Sequence, residues 1–311
     1  MRYRVALLAM ILLVFGGSAL VQQRIDEPLR PEVTTGWQCQ RIVSMAPSIT
    51  ETLFALGLGD RVVGVSRDSN HPPEVEEIKK SGNVGGYLDP NFEAVIALRP
   101  DLVILLEEQA QSLPGIAKLD FETLVVSHKT VDGIIESFRT IGRVCGRGPE
   151  GRQMEQSFRD RLNAINVRTR DLPRPRVLIV LDRLFGSGHL ADVYVAGVDD
   201  YFDKMIELSG GQNAYRQRGV RYPVVSTEGI LRLNPDVIVE LAPPDKLRQL
   251  GRQALLDDWK DVDSASAVKN NRIMIFADDY ATIPGPRFIR LVEQLARTLH
   301  PNIDLEDRPT S

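Results

Sequence analysis

The sequence predicts an α/β protein with two lobes, each built on a parallel-type sheet, and one long rigid α-helix that joins them. Short apolar segments alternate with amphipathic segments from residue 41 onwards, a pattern typical of alternating strands and helices. A long amphipathic segment at 149–172 interrupts this alternation, which then restarts. We therefore expect one lobe on each side of that segment.

The N-terminal lobe is predicted at residues 41–148. Strands are indicated at 41–45, 61–66, 101–106 and 123–127, and a helix at 48–56 that ends at Gly57. The stretch Leu-Val-Ile-Leu-Leu at 102–106 is apolar throughout. Such a run is typical of a strand buried on both faces, as in a parallel sheet covered by helices.

The joining helix is predicted at 149–172, with Pro149 at a favourable first position. Its apolar residues are spaced four, four and three apart, at Met154, Phe158, Leu162 and Ile165. At 1.5 Å per residue the helix would extend roughly 30 Å, enough to reach from one lobe to the other.

The C-terminal lobe is predicted at 173–301, followed by a tail at 302–311. Strands are indicated at 176–182, 236–241 and 272–277, and a helix at 201–208 closed by Gly210 and Gly211. The alternation matches that of the first lobe, so the second lobe is also predicted as α/β.

Residues 1–21 have the layout of an export signal. Two arginines precede an apolar run at 5–15, and small residues follow around Ala19. The segment is therefore predicted as a cleaved signal peptide or an uncleaved N-terminal anchor. Residues 22–40 are polar and contain Pro28 and Pro31, which predicts a tether. The expected location is the periplasm, either soluble or tethered to the cytoplasmic membrane.

Composition excludes several classes of function. Lys and Arg number 38 against 42 Asp and Glu, a net charge of −4, so the basic excess of a nucleic-acid-binding protein is missing. The motifs of P-loop, zinc-protease and nucleophile-elbow enzymes are absent from the sequence. The segment Gly-Arg-Gly-Pro-Glu-Gly at 146–151 lacks the preceding strand of a dinucleotide-binding turn, and it is predicted as a loop.

One pattern occurs in both predicted lobes. Residues 92–104 read Phe-Glu-Ala-Val-Ile-Ala-Leu-Arg-Pro-Asp-Leu-Val-Ile, and residues 227–239 read Thr-Glu-Gly-Ile-Leu-Arg-Leu-Asn-Pro-Asp-Val-Ile-Val. Each segment has a Glu eight positions before the Asp of a Pro-Asp pair, at Glu93 and Glu228. A helix, a turn and a strand repeated at one offset indicate related lobes.

The order of these blocks resembles the periplasmic solute-binding proteins for cobalamin and ferric siderophores. The resemblance includes Arg-Ile-Val-Ser-Met at 41–45, His-Pro-Pro at 71–73, Gly-Gly-Tyr-Leu-Asp-Pro at 85–90 and Pro-Gly-Pro-Arg at 284–287, and it extends from residue 41 to residue 301. It implies two lobes joined by one rigid helix, a ligand in the cleft between them, and docking on the transmembrane subunits of an ABC importer.

Candidate ligand contacts follow from the resemblance and from the position of loops after strand ends. Aromatic side chains there can cover a large flat ligand. The resemblance points to Tyr87, Tyr194 and the Asp279–Tyr280 pair, whereas Asp68 stands where the cobalamin binder has an aromatic residue. Further candidates are Arg67 and Arg221, as partners of carboxylates or phosphate, and His71 in a turn after a strand.

The resemblance assigns Glu93 and Glu228 to salt bridges with the two transmembrane subunits, one per lobe. A carboxylate early in a helix also suits the positive end of the helix dipole, which is the structural alternative. Cys39 and Cys145 are predicted to form a disulfide in an exported protein, the alternative being two unrelated buried thiols.

The predicted function is capture of cobalamin or a related metal chelate and its delivery to an importer. The protein is expected to be a monomer without enzymatic activity, resident cofactor or metal site. Cobalamin is preferred because the Glu-bearing segments and the Asp279–Tyr280 pair resemble the cobalamin binder most. Alternatives are a ferric-siderophore or haem binder, a secreted hydrolase that uses Ser, His and an acid, and an anchored sensory module.

Overall fold

The computed structural model describes residues 37–112, 121–198 and 200–305. They all belong to one compact unit. The predicted signal or anchor lies outside the described residues, as do residues 22–36 of the predicted tether and 306–311 of the predicted tail. Within the described ranges, no helix is both long enough and apolar enough to cross a membrane.

The first half of the described chain forms a four-stranded sheet flanked by helices, which we call the N-terminal lobe. Its elements are β1 (Ile42–Ser44), α1 (Pro47–Ala55), β2 (Val62–Val65), α2 (Val75–Gly82), α3 (Phe92–Ala97), β3 (Leu102–Leu106), α4 (Glu107–Ser112), β4 (Glu122–Val126) and α5 (Val131–Val144). The sheet has the order β2-β1-β3-β4, and every pair is parallel. Each residue of β3 is buried, as its apolar sequence predicts.

The second half forms a larger sheet with its own helices, which we call the C-terminal lobe. After the joining helix α6 (Gly148–Thr169) come β5 (Arg176–Asp182), β6 (Val193–Val195), α7 (Tyr201–Leu208), β7 (Gln212–Asn213), β8 (Val224–Val225), α8 (Thr227–Leu233), β9 (Val237–Leu241), α9 (Pro244–Asp257), α10 (Ser266–Lys269), β10 (Ile273–Phe276) and α11 (Phe288–Leu299). The strand order is β10-β9-β5-β6-β8, and β7 also pairs with β5.

This second sheet is mixed rather than wholly parallel. Strands β7, β9 and β10 are parallel to their neighbours, but β6 is antiparallel to both β5 and β8. The chain returns from β5 to β6 through the short connection at 183–192, which has no helix. A parallel return needs a longer crossover, so this connection leaves only the antiparallel direction.

The joining helix α6 has 22 residues and packs into a core that both lobes share. Its Phe158 ring lies 4.9 Å from the ring of Phe138 on α5 and 5.7 Å from the ring of Phe288 on α11. Leu162 and Ile165, on the predicted apolar face, are buried in the same cluster. The helix is therefore packed on both sides, and its stiffness stays a prediction.

The predicted loop at 146–151 is wrong for its last four residues, because α6 already begins at Gly148. The glycines there have a packing role. A Cβ atom added at Gly151 would lie 2.8 Å from the carbonyl oxygen of Phe138, and one at Gly142 would lie 2.6 Å from that of Arg147. Helices α5 and α6 can approach this closely because both positions lack a side chain.

The repeated segments adopt the same local structure in the two lobes. Helices α3 and α8 are each followed by a left-handed residue at equivalent positions, Arg99 with φ 44° and Asn234 with φ 40°. The carboxylates of Asp101 and Asp236 then accept backbone N–H bonds, from Arg41 at 3.1 Å and from Arg176 at 2.7 Å. Each aspartate thus ties its own strand to the neighbouring β1 or β5.

Cys39 and Cys145 are joined by a disulfide in the structure, and their Cα atoms lie 5.3 Å apart. Both residues are buried. The bond links the segment before β1 to the residue that ends α5, so it closes almost the whole N-terminal lobe into one covalent loop.

His128 is buried between two serine hydroxyls of the N-terminal lobe. Its Nδ1 lies 3.0 Å from Ser48 Oγ, and its Nε2 lies 2.9 Å from Ser137 Oγ. The Ser137 hydroxyl donates to the carbonyl of Ile134 at 2.6 Å, so it accepts the Nε2–H of the ring. Burial lowers the pKa of His128 to about 3, and the ring is therefore neutral at physiological pH.

This burial predicts a loss of stability in mild acid. Unfolded His128 would titrate near its ordinary pKa of about 6.5, whereas the folded ring stays neutral down to about pH 3. The unfolded state thus binds the extra proton, and the free energy of unfolding should fall as pH decreases from 6.5, with a slope approaching about 1.4 kcal/mol per pH unit.

Urea unfolding between pH 6.5 and 5 would measure that slope. The His128→Gln variant should lose most of it, whereas His189→Gln, at a side chain that is 79% exposed, should keep it. Equal slopes in the wild type and in His128→Gln would show that His128 does not cause the acid sensitivity.

Candidate ligand-binding cleft

A cavity of ≈ 320 Å³ lies at the carboxyl end of β5. Strand ends of this kind are where open α/β sheets present ligand-binding groups. The side chains around the cavity are mostly aromatic: Leu181, Asp182, Tyr194, Tyr201, Phe202, Tyr222 and Thr282. The rings of Tyr201 and Phe202 stack with centroids 4.3 Å apart, and they form a firm aromatic wall.

Tyr194 is the predicted ligand contact that lies in this cavity. It stands on β6, opposite Val224 of β8, and 41% of its surface is exposed. An exposed phenol ring on a cavity wall can stack against a flat ligand at little entropic cost. Tyr194 thus lines the cavity, and its role as a ligand contact stays a prediction.

Tyr87 belongs to the N-terminal lobe, in the loop before α3. Its hydroxyl donates to Glu108 Oε1 at 3.1 Å. Burial, and then Glu108, raise the pKa of Tyr87, and Tyr222 and Arg221 of the other lobe also act on it. Groups of both lobes are thus close enough to influence each other, and we call the space between them the cleft.

Tyr222 and Arg221 share one carboxylate on the C-terminal side of the cleft. The Tyr222 hydroxyl donates to Asp200 Oδ2 at 2.8 Å, and Arg221 Nε lies 3.5 Å from the same oxygen. Burial, and then Asp200, raise the pKa of Tyr222. Both phenols, Tyr87 and Tyr222, are therefore neutral and donate hydrogen bonds to carboxylates.

Arg67, Asp68 and His71 lie on the loop that follows β2. The side chain of Arg67 is exposed and lies 3.3 Å from Asp89. Asp68 accepts a hydrogen bond from the backbone N–H of Tyr87 at 2.7 Å, and so holds the Tyr87 loop in place. Arg287 lowers the pKa of Asp279 in the other lobe, and His71 adds a smaller effect in the same direction.

Asp279 and Tyr280 occupy different environments. The Asp279 carboxylate accepts two hydrogen bonds from Arg287, at 2.7 and 2.9 Å. Tyr280 is buried in the shared core, and its hydroxyl donates to Gln294 at 3.2 Å. The Asp279 carboxylate is therefore partly exposed, whereas the Tyr280 ring is buried. The prediction that Tyr280 contacts a ligand in the cleft does not fit this burial.

Sequence reasoning missed several cleft residues. Tyr222, Asp200 and Glu108 contact the predicted residues but were not identified. A signal existed for Glu108, because it is the second residue after the buried strand β3. Strand β8, which follows Tyr222, has only two residues, and no periodic pattern can be recognised in so short a strand.

Glu93 and Glu228 occupy matching positions on the surface. Each is exposed and is the second residue of a short helix, α3 or α8. The helix is capped by a side chain in both cases, since Asn91 Oδ1 accepts from Ala94 N at 3.0 Å and Ser226 Oγ from Gly229 N at 3.2 Å. Backbone N–H groups, followed by Ser226, lower the pKa of Glu228, as expected at a helix start.

A buried ion cluster supports the loop beside the cleft. Arg183, directly after β5, bonds Glu240 Oε1 at 3.0 Å, and the side chains of both residues are 0% exposed. Arg183 also bonds Asp258, whose oxygens accept the backbone N–H groups of Gly186 and Gly188 at 2.7 Å. The cluster therefore holds the connection from β5 to β6, and with it the strand that carries Tyr194.

Two α/β lobes with an aromatic cleft between them define the class of bilobal solute-binding proteins. Among the described residues, no group of His, Cys, Asp and Glu side chains could hold a metal ion. A cleft of this kind encloses its ligand by contacts from both sides.

The chain belongs to the family described as periplasmic binding protein, which matches residues 42–280. It is 29% identical to an uncharacterized ABC transporter substrate-binding lipoprotein of Bacillus subtilis, over 89% of this chain and 85% of that protein. Its structural neighbours include periplasmic binding proteins.

Two of these neighbours bind different ligands. The periplasmic vitamin B12-binding protein BtuF of Vibrio cholerae is 26% identical with a TM-score of 0.71, over 84% of this chain and 96% of that one. The periplasmic heme-binding protein RhuT of Roseiflexus sp. RS-1 is 27% identical with a TM-score of 0.69, over 84% of this chain and 98% of that one. The same fold thus occurs in a vitamin B12-binding protein and in a heme-binding protein.

The buried cluster at Arg183 generates a stability prediction. Replacing Arg183 by Met leaves Glu240 and Asp258 buried without their cation, and this should lower the free energy of unfolding by roughly 3–5 kcal/mol. The control is Arg161→Met, because Arg161 pairs with Glu293 at 2.6 Å but is 39% exposed; it should cost less than about 1 kcal/mol. Urea unfolding measures both values, and similar losses in the two variants would contradict this account.

Proposed function

We propose that the protein is a non-enzymatic substrate-binding protein of an ABC importer that captures cobalamin in its cleft. The observation that carries the proposal is the aromatic wall with neutral phenols and carboxylates on both lobes. A large flat macrocycle can stack on Tyr194, while its peripheral amide groups meet these hydrogen-bonding side chains. The similarity to the Vibrio cholerae protein supports this choice of ligand.

The cleft carries charges of both signs. Carboxylates lie on the N-terminal side at Glu107 and Glu108, and on the C-terminal side at Asp182 and Asp200. Two of them face cations, since Lys129 lies 3.0 Å from Glu107 and Arg221 lies 3.5 Å from Asp200. The peripheral amides of cobalamin can donate hydrogen bonds to the carboxylates, and its phosphate can meet Arg221.

Haem is the second candidate, supported by the similarity to the Roseiflexus protein and by the exposed phenol of Tyr194. Phenolate coordination of ferric iron requires loss of the phenol proton. The pKa values of Tyr87 and Tyr222 are raised, by burial and by carboxylates, so these two side chains are poorly suited to that role. Tyr194 is the phenol on which the haem alternative depends.

A hydrolase mechanism finds little support in the described residues. The structure does bring Ser48 within 3.0 Å of His128, but both side chains are buried. A ring whose pKa is about 3 is a weak base at neutral pH. The Ser48–His128 contact is better explained by packing, and the proposal is a binding protein.

The proposed protein acts outside the cytoplasm as a monomer, in the periplasm or tethered to the membrane by its N-terminal segment. Glu93 and Glu228 would meet one transmembrane subunit each. This proposal is supported by their equivalent, exposed positions on the two lobes. An anchored sensory module would need no such matched pair.

The ligand is identified by the chromophore that the protein retains. Protein is purified from three cultures, each supplied with cyanocobalamin, a ferric siderophore or haem. Protein from the cyanocobalamin culture should show the corrinoid absorbance and should release the corrinoid on denaturation. If the protein shows a haem Soret band and takes up no corrinoid, the proposed ligand is haem rather than cobalamin.

Substitutions at Tyr194 separate stacking from iron coordination. Tyr194→Ala should weaken cyanocobalamin binding about tenfold, since a stacked ring contributes roughly 1 kcal/mol or more. Tyr194→Phe keeps the ring and should bind cyanocobalamin like the wild type, but it would lose haem if the phenol coordinated iron. Calorimetry measures both affinities, and an unchanged affinity in Tyr194→Ala would remove this residue from the site.

The docking proposal predicts that delivery and capture can be separated. The double variant Glu93→Ala, Glu228→Ala should bind cyanocobalamin normally but fail to stimulate transport in vesicles, because interfacial charge pairs set encounter and register. Raising the salt concentration should reproduce part of the loss. The two single variants should be partly defective and similar.

The matched control is Glu76→Ala, Glu207→Ala, which removes one exposed acid from each lobe elsewhere on the surface. It should transport like the wild type. Transport at the wild-type rate by the Glu93 and Glu228 double variant, or loss of ligand binding in it, would refute the docking role.

A further inference from the structure

Three charged side chains join the two lobes beside the cleft. Arg287, at the start of α11, donates to Glu51 of α1 from Nε at 3.0 Å and from Nη2 at 2.6 Å. The same guanidinium donates to both oxygens of Asp279, at 2.7 and 2.9 Å. Glu51 belongs to the N-terminal lobe, whereas Arg287 and Asp279 belong to the C-terminal lobe. We call this group the inter-lobe ion cluster.

The two residues that join the lobes, Glu51 and Arg287, are largely shielded from water. The side chain of Glu51 is 3% exposed and that of Arg287 is 11% exposed. If the lobes moved apart here, Glu51 would lose its bonds to Arg287, whereas Arg287 and Asp279 would keep theirs within the C-terminal lobe. A carboxylate left unpaired in a buried position is strongly unfavourable. The contact between Glu51 and Arg287 therefore opposes separation of the lobes.

The backbones of the two lobes also meet at the cluster. A Cβ atom added at Gly285 would lie 3.1 Å from Glu51 Oε2 and 3.2 Å from the Cα atom of Ser48. Ser48 is itself bonded to His128, so the N-terminal side of the contact is firmly placed. The guanidinium of Arg287 lies 5.5 Å from the centre of the Tyr280 ring, which packs in the shared core.

We propose that Arg287 is a positioning residue for ligand capture. By joining Glu51 to Asp279 it sets the separation of the lobes beside the cleft, so that the N-terminal and C-terminal contacts are spaced for the ligand before it arrives. Asp279, whose two oxygens are both engaged by Arg287, then acts mainly through the cluster. The effect on affinity rests on the proposed function, whereas the effect on lobe separation does not.

Inter-lobe distances test the cluster without any ligand. Spin labels on Ile96→Cys of α3 and Leu231→Cys of α8, both exposed positions, report the distance between lobes by pulsed electron paramagnetic resonance. Glu51→Gln and Arg287→Met should broaden the distance distribution and shift its mean to longer values. Arg287→Lys keeps the charge without the paired donors, and it should give an intermediate distribution.

The matched control is Glu240→Gln, which weakens a buried arginine–glutamate pair that lies wholly within the C-terminal lobe. This variant should lose stability but keep the wild-type distance distribution. Circular dichroism verifies that each variant is folded. If Glu51→Gln and Arg287→Lys give the same distance distribution as Glu240→Gln, the proposal is overturned.

Cyanocobalamin serves as the probe for the effect on capture. If the correctly spaced population falls to about a tenth, the apparent affinity of Glu51→Gln should fall about tenfold, with Glu240→Gln near the wild-type value. Wild-type affinity in Glu51→Gln would overturn the positioning role. A wild-type protein that binds no cyanocobalamin refutes the cobalamin proposal instead, and the distance measurement then decides the role of the cluster.

Discussion

A row of three phenyl rings holds the two lobes together. Phe138 lies in the middle of one lobe's last helix, Phe158 lies in the middle of the joining helix, and Phe288 begins the other lobe's last helix. Each ring packs on the next. The apolar surface buried around them extends into both lobes as one core. Removing it from water is the main favourable contribution here, and this makes the joining helix part of a packed interface rather than an isolated connector.

The position of the cleft follows from that shared core. Because the lobes are held together at the row of rings, the carboxyl end of β5 and the loop that carries Tyr87 come to face each other. The inter-lobe ion cluster adds a polar contact beside the cleft, where Arg287 bridges Glu51 and Asp279. Apolar packing lacks a preferred direction, whereas paired charges are directional, so the two contacts have different effects on lobe spacing.

Repetition accounts for the two matching surface acids. The helix, left-handed turn and strand that follow Glu93 recur after Glu228, and Asp101 and Asp236 tie each strand to its neighbour in the same way. An acid at the second position of a capped helix is favourable by itself. The same local structure thus places one exposed carboxylate on each lobe, in equivalent surroundings, whatever partner it meets.

The sequence alone determined the α/β class, the buried strand at Leu102–Leu106 and the long helix around Phe158, because apolar periodicity reports which face of an element is buried. The matching local structure after Glu93 and Glu228 was also indicated, by the repeated Pro-Asp segment. The antiparallel β6 and β8 were missed, since strands of two or three residues carry no period. The partners of Arg287 were decided by tertiary structure: Glu51 is 236 residues away along the chain, and a local pattern shows that a charge is present but contains no information on which distant group will neutralise it.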